Sequence, residues 1–382
     1  MNPQVFSFQG AKKIIFGDGA IDQLAEEVKA LSGAKPFIVI DKELKNVGMQ
    51  GRIATILEKA GIPYAIYDQV TPEPQPEIAD QGARELAGHG CNLVIGIGGG
   101  SSLDVAKAIA MLATNKGKAT DYIGLEIVPK AGLPTILIPT TAGTGSEVTF
   151  TAVFTMREKK AKGGINSRFL YPDVALLDPE LTVTAPPSIT AATGMDAFTH
   201  ALEAYTSLQA NPLSDLVAEK AIALIGKNLK NAFVSGDDRV ARREMLMGSL
   251  LGGMALASAG VGACHALAYP LGALFGIPHG LANAVLLPYI MQYNITGCVG
   301  KYARTAQLML ATSQYESADK AIDMIFALRK EIGIPNRLSE LQIPSSSIEQ
   351  MADAALKVAR PIANNPRAVT KEGVVGIYQQ AF

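Results

Sequence analysis

Asp196 and His200 stand four residues apart in the segment Gly194-Met195-Asp196-Ala197-Phe198-Thr199-His200. On a helix this spacing puts both side chains on one face, where a single ion can meet them. The chain has four histidines, and two more of them, His265 and His279, lie in a stretch from Met245 to Gly300 that contains no Asp, Glu, Lys or Arg. One carboxylate and three imidazoles suit Fe2+ or Zn2+ and suit Ca2+ poorly. Any one such histidine is ordinarily a hydrogen-bonded core residue. The set resists that explanation, because burying Asp196 among apolar neighbours is costly without a cation or a donor. The fourth histidine, His89, precedes Gly90 and reads as a surface or helix-capping residue.

A second chemistry is written in glycine. Asn92–Ile97 reads as a buried strand that runs into Gly98-Gly99-Gly100-Ser101-Ser102, with a helix following at once. Glycines let backbone approach a phosphate, and the free N–H groups and dipole of a helix start attract it. The run is not a GxGxxG fingerprint, and a tight turn would need glycine as well. A second strand, Thr135–Pro139, ends in Thr140-Thr141-Ala142-Gly143-Thr144-Gly145-Ser146-Glu147, whose hydroxyls suit ribose and phosphate. Ligands of open α/β sheets bind at the carboxyl ends of strands. Asp41 closes strand Pro36–Asp41, where a carboxylate can accept the ribose hydroxyls of NAD and repel the 2′-phosphate of NADP. It would serve equally as a turn or capping Asp.

The elements needed to position these groups can be read from periodicity. Strands are expected at Lys12–Phe16, Pro36–Asp41, Tyr64–Tyr67, Asn92–Ile97, Thr135–Pro139 and Val174–Asp178. Helices alternate with them at Ala20–Leu31, Met49–Ala60, Glu77–Gly88 and Ser102–Ala113, a pattern of βαβ units around a mainly parallel sheet. After Pro186-Pro187 no convincing strand appears. Helical patterns recur instead at Ser188–Thr206, Leu213–Phe233, Val240–Ala259, His279–Leu287, Ala318–Ile332, Ile348–Val358 and Glu372–Ala381. The expected organisation is an α/β nucleotide-binding domain over residues 1–186 and an all-α metal-binding domain over 187–382.

Bulk composition narrows the partners. The 382 residues are 48% hydrophobic and 18% charged, with a net charge of −1 and no basic or acidic block. Nucleic acid and anionic membrane are therefore not expected partners. Cys91, Cys264 and Cys298 are few, odd in number and far apart. That pattern gives no disulfide framework and fits a reducing cytoplasm. Met1–Lys13 lacks the apolar run of a signal peptide. Met245–Cys264 is long enough to span a bilayer, yet its Gly, Ala and Ser content and the His265 and His279 that follow favour a buried soluble helix.

These residues together resemble a family, the iron-containing, or group III metal-dependent, alcohol dehydrogenases. The likeness rests on Gly98-Gly99-Gly100-Ser101 with Asp104 and Lys107, on Thr140–Glu147, and on Asp196 through His200, Glu203 and Tyr205. It continues in His265 through Pro270-Leu271-Gly272, in Ile277-Pro278-His279-Gly280-Leu281-Ala282-Asn283, and in Asn365-Pro366-Arg367. The resemblance implies a dehydroquinate synthase-like α/β plus helical fold and a homo-oligomer. Its metal ligands map onto Asp196, His200, His265 and His279, with Fe2+ favoured and Zn2+ possible. Its cofactor positions map onto Asp41, Gly98, Gly99, Gly100, Ser101, Thr140, Thr141, Thr144, Lys162 and Leu181, with NAD as the cofactor. Many members carry a further histidine, a candidate proton relay, where this chain has Tyr269. Many diol-oxidising members have Pro-His after the glycine run, where this chain has Ser102-Leu103, so their substrate preference does not transfer.

The expected reaction is reversible oxidation of a small alcohol or diol by NAD. The alternative is a metal- and NAD-dependent lyase of dehydroquinate synthase type, which would recycle NAD within each turnover. A non-catalytic nucleotide-binding module is a third possibility, excluded by any alcohol-dependent reduction of NAD.

Overall fold

The computed structural model of the protein describes residues 5–46, 48–158 and 161–382. The described chain forms two compact units. One comprises Gly10–Thr141 with Gly145–Thr184; the other comprises residues 5–9, Ala142–Thr144 and Ala185–Phe382.

The first unit is an α/β layer structure. Its elements are β1 (Lys13–Phe16), α1 (Leu24–Ala30), β2 (Pro36–Asp41), α2 (Lys42–Asn46), α3 (Met49–Lys59), β3 (Ala65–Val70), α4 (Pro76–His89), β4 (Leu93–Gly98) and α5 (Gly100–Leu112). They continue with β5 (Gly124–Leu125), β6 (Thr135–Pro139), β7 (Thr151–Met156), β8 (Ala161–Asn166) and β9 (Val174–Leu177). Six strands form one sheet in the order β1-β9-β6-β4-β2-β3, and every pairing in it is parallel. Helices cover both faces, so the inner strands are apolar throughout: Phe37, Ile38, Val39 and Ile40 of β2 and Leu93, Val94, Ile95 and Ile97 of β4 are all buried. The chain runs from β2 outward to β3, then returns to β4 and proceeds to β6 on the other side. The order thus reverses between β2 and β4, which pair from Pro36 with Leu93 to Ile40 with Ile97. That is the topological switch point at which open α/β sheets take their ligands.

A smaller sheet, β5-β8-β7, was not expected. Its β7 and β8 pair antiparallel from Thr151 with Asn166 to Met156 with Ala161. The pattern of β7, with Ala152 and Phe154 buried between half-buried neighbours, is a legible alternation. Gly163 and Gly164 in β8 hide its partner, since glycine weakens a strand reading.

The second unit is helical: α6 (Pro187–Thr206), α7 (Pro212–Val234), α8 (Arg239–Ala259), α9 (Ala263–Phe275), α10 (His279–Leu310), α11 (Ala318–Glu331), α12 (Ile348–Ala355), α13 (Ala359–Asn364) and α14 (Lys371–Ala381). Among the described residues from 185 onward there is no strand. Two differences from the sequence reading matter. The stretch after Gly262 forms α9 in spite of Pro270, because Leu267, Ala268 and Leu271 are fully buried and outweigh the lost backbone bond. The helix beginning at His279 continues past Pro288 to Leu310, with one non-helical residue, Cys298, breaking it.

The uncharged stretch is core. Ala255, Ala259, Ala266, Leu267, Val285 and Leu286 belong to one apolar cluster with Met195, Phe198 and Ile225. No single described helix is long and apolar enough to cross a membrane, although α8 and α9, bent by 104°, pass that test as a pair. The start of α10 lies directly on α6: a side chain at Gly280 would meet the Ala192 carbonyl oxygen at 2.5 Å.

Candidate metal centre and dinucleotide loops

Three helices of the second unit bring the four expected ligands together. Asp196 and His200 lie one turn apart on α6, His265 on the first turn of α9, and His279 at the start of α10. One donor atom from each lies within 4.8 Å of all the others. Asp196 Oδ1 is 3.9 Å from His265 Nε2 and 3.8 Å from His279 Nε2, and Asp196 Oδ2 is 4.0 Å from His200 Nε2. Ligands about 2.1 Å from one ion stand at most about 4.2 Å apart, so the set is close to coordination spacing. Asp196, His200 and His265 are buried, whereas the His279 side chain is 24% exposed and marks the open side.

The imidazoles are aimed from behind. His265 Nδ1 is 2.5 Å from Glu203 Oε2, and His200 Nδ1 is 3.3 Å from the Gly143 carbonyl oxygen. An Nδ1–H donated to either oxygen leaves the Nε2 lone pair facing the cluster, the arrangement in which histidines hold metals. Burial pushes the His200 pKa down, so the ring is neutral at pH 7. Burial alone would raise Asp196, but the three facing imidazoles and the Asn283 amide outweigh it and hold the carboxyl at about 2. Asp196 is thus a carboxylate and His200 a neutral ring. Those are the protonation states a cation requires.

Glu203 does more than orient one ring. Its Oε1 accepts the Cys264 N–H at 2.6 Å, and Asn365 Oδ1 accepts the Ala263 N–H at 3.2 Å. The first turn of α9 has no side-chain cap of its own, so these two residues satisfy its orphan donors and fix where His265 points. Asn365 is locked by a paired amide contact with Asn294, at 2.7 and 2.9 Å. Glu203 and Asn365 lie in the family-like segments, but their sequence positions alone give neither a role. Glu203 was within reach: it stands seven residues after Asp196 and three after His200, on the same helix face.

Tyr269 lies one turn after His265 on α9. Its ring is partly exposed and centred 5.7 Å from the His279 ring.

In the first unit, Asp41 and the glycine turn meet at the switch point. Gly98 has φ of 140°, and a Cβ there would stand 2.6 Å from Ser102 Oγ and 3.1 Å from Asp41 Oδ2. Only glycine fits that backbone in that space. Asp41 accepts the Leu44 N–H at 2.9 Å and the Ser102 hydroxyl at 3.4 Å, so its carboxylate is oriented from two sides. Gly99 precedes α5 without a side-chain cap, and Gly100 and Ser101 begin the helix. The Gly98 carbonyl accepts the Thr140 N–H at 3.0 Å, which joins the glycine turn to the Thr140-Thr141 turn. Thr144 groups with the second unit. Lys162, on β8, pairs with Glu73 at 2.5 Å, and Glu73 holds a left-handed φ of 53°. Leu181 is buried in the apolar layer with Ile40, Ile97 and Ile138.

A doubly wound parallel sheet with a glycine turn at its switch point, and a helical unit holding a buried carboxylate and three imidazoles, define a dinucleotide-type fold joined to a metal-type centre. The comparisons give that class its family. The model of "Iron-containing alcohol dehydrogenase" matches residues 11–179, and that of "Fe-containing alcohol dehydrogenase family, C-terminal" matches residues 190–382. Long-chain-alcohol dehydrogenase 1 of Geobacillus thermodenitrificans is 40% identical over 96% of this chain and 94% of its own length. A solved 1,3-propanediol oxidoreductase superposes with a TM-score of 0.95 at 39% identity, covering 99% of this chain and 100% of its own. A sulfoacetaldehyde reductase from Bifidobacterium kashiwanohense, solved in complex with NAD+, superposes with a TM-score of 0.90 at 30% identity, covering 99% of both chains.

The chain belongs to the iron-containing alcohol dehydrogenases. It is an oxidoreductase that moves hydride between an alcohol and a carbonyl compound, in a family whose metal is iron.

Proposed function

We propose that the chain is an NAD-dependent dehydrogenase of small alcohols or diols, with Fe2+ held by Asp196, His200, His265 and His279. The observation that carries this reading is the convergence of those four donor atoms, two of whose rings are tied back through Nδ1. One carboxylate and three imidazoles fit Fe2+, and they would accept Zn2+. A bound Fe2+ supplies Lewis acidity that lowers the pKa of an alcohol near it.

The chain's own residues do the rest. Glu203 and the Gly143 carbonyl keep the His265 and His200 lone pairs inward. Asp196, His200 and His265 are themselves buried, which limits the water that reaches them. Tyr269, beside the exposed edge of His279, is the candidate to carry the alcohol proton outward. NAD supplies the hydride acceptor, as it is present in the sulfoacetaldehyde reductase complex. Asp41 would accept its adenosine ribose hydroxyls, and Gly98, Gly99, Gly100 and Ser101 would face its phosphates. Thr140, Thr141, Thr144, Lys162 and Leu181 complete that set by family resemblance. The Gly98 contacts support the assignment, since any Cβ there would fill the space beside Asp41.

The substrate is a small uncharged alcohol on the ground that no Lys or Arg lies from Met245 to Gly300, the stretch that carries two of the ligands. Free, buried thiols at Cys91, Cys264 and Cys298 support a cytoplasmic setting. The exposed Ile14 on edge strand β1 supports self-association. The test is a panel of short alcohols and their aldehydes with NAD(H) and NADP(H), on chelated and Fe2+- or Zn2+-reloaded protein. NAD reduction that needs the metal is the expected result. Undiminished activity in metal-free protein would sink the reading.

A further inference from the structure

Asn283 is fully buried on α10, one turn after His279. Its amide Nδ2 donates to Asp196 Oδ1 at 2.7 Å and lies 3.3 Å from both His265 Nε2 and His279 Nε2. It therefore touches three of the four donor residues while offering, through Nδ2, only hydrogens. Its own Oδ1 is buried with no hydrogen-bond partner. Leaving that acceptor unmade costs on the order of 1–3 kcal/mol, so the amide is retained for what its nitrogen does.

We propose that Asn283 is a positioning residue that fixes the Asp196 carboxylate and preorganises the donor set for its metal. The proposal rests on the reading that Asp196 and the three histidines hold the ion. A carboxylate and three inward lone pairs repel one another when brought within coordination spacing. The two amide hydrogens relieve that repulsion, one on Asp196 Oδ1 and one shared between the two imidazole nitrogens. When a cation takes the imidazole lone pairs, the bond to Asp196 Oδ1 persists. It would keep that oxygen engaged, so that the carboxylate would present one free oxygen to a bound ion rather than two.

The test uses Co2+ alone as probe, titrated into metal-stripped full-length protein in competition with a chelator, and the visible absorption of the loaded protein. Asn283→Leu keeps the branched shape and removes both donors; Asn283→Ala removes them with less demand on packing. We expect Co2+ affinity to fall 10- to 100-fold in each, as when partners of metal ligands are removed. The ligand-field bands should also weaken as the freed carboxylate turns to bind through both oxygens and coordination number rises. Near-UV circular dichroism of the loaded protein should remain that of wild type. Wild-type affinity and spectrum in both variants would overturn the proposal. So would a loss of affinity matched in both by loss of the near-UV signal, because the amide would then serve packing alone. Failure of wild type itself to take up Co2+ would overturn the metal assignment too, whereas uptake that is indifferent to Asn283 overturns this inference only.

Discussion

Two buried polar clusters, one in each unit, teach different things. In the α/β unit Lys107 on α5 is buried, and its ammonium donates to the Ser146 carbonyl at 3.1 Å, to Thr149 Oγ1 at 3.4 Å and to the Thr151 carbonyl. Asp104 stands 3.3 Å from it, and accepts the Ser146 hydroxyl at 2.6 Å and the Val153 N–H at 2.9 Å. Donors there are matched by acceptors within the chain. This cluster pins the segment after Gly145 and strand β7 to α5. In the helical unit four acceptors converge, and Asn283 is a donor that meets three of them, on Asp196, His265 and His279. The first arrangement is closed and serves structure. The second is short of positive charge, which is what the proposed metal would supply.

The sharpest way to break this contrast is to remove one donor from each cluster. His279→Ala should lower kcat/KM by about three orders of magnitude or more, since Lewis acidity is worth several kcal/mol. Metal content by atomic emission should fall in parallel while the thermal midpoint of the metal-free protein stays put. Lys107→Met should do the reverse. Leaving Asp104 without its cation should destabilise the protein by about 3 kcal/mol, read from urea unfolding, with metal stoichiometry unchanged.

Glu147 sharpens the comparison through pH. It is buried in the first unit, and burial, partly offset by a backbone hydrogen bond and by Lys107, raises its pKa to about 7 from 4.5. A raised acid binds its proton more tightly in the folded state. Its contribution therefore favours folding at pH 4.5 and below, and is lost as pH rises toward 7. Glu147→Gln should leave stability unchanged near pH 5 and raise it at pH 8, by up to about 3 kcal/mol. A variant that is no more stable than wild type at pH 8 would show that Lys107 keeps Glu147 ionised.

Smaller effects concern selectivity and proton flow. Asp41→Gly should move the NAD:NADP ratio of kcat/KM toward NADP by about 10- to 100-fold, the scale of a charge pair near a protein surface. An unchanged ratio would return Asp41 to a turn residue. Tyr269→Phe should lower kcat by less than tenfold and shift its pH profile if the hydroxyl passes the proton. An unchanged profile leaves bound water as the carrier.

Much of this was legible in the residues. Strands Pro36–Asp41 and Thr135–Pro139 were read to their ends, because buried parallel strands are continuous apolar runs bounded by polar or proline residues. The candidate ligands stood out because the chain has only four histidines and His265 and His279 lie in a stretch without a single charged residue. Less visible were residues that work through others. Asn283 and Asn365 are ordinary polar letters until α6, α9 and α10 are packed together, and no local pattern says which carbonyl or carboxylate an amide will meet. Helix α9 was hidden by Pro270, whose local penalty is overruled by burial that only the tertiary fold provides.

The glycine at position 280 has a consequence beyond packing. With the Ala192 carbonyl only 2.5 Å from where a Cβ would stand, the adjoining His279 is held at a spacing set by main chain against main chain. Main-chain contacts have none of the rotamer slack through which side-chain contacts absorb an error. The approach of α10 to α6 is thus set like a gauge block and not like an adjustable clamp. Altering the ion preference of the proposed site is therefore a matter of exchanging donor atoms rather than of moving α10 closer to α6.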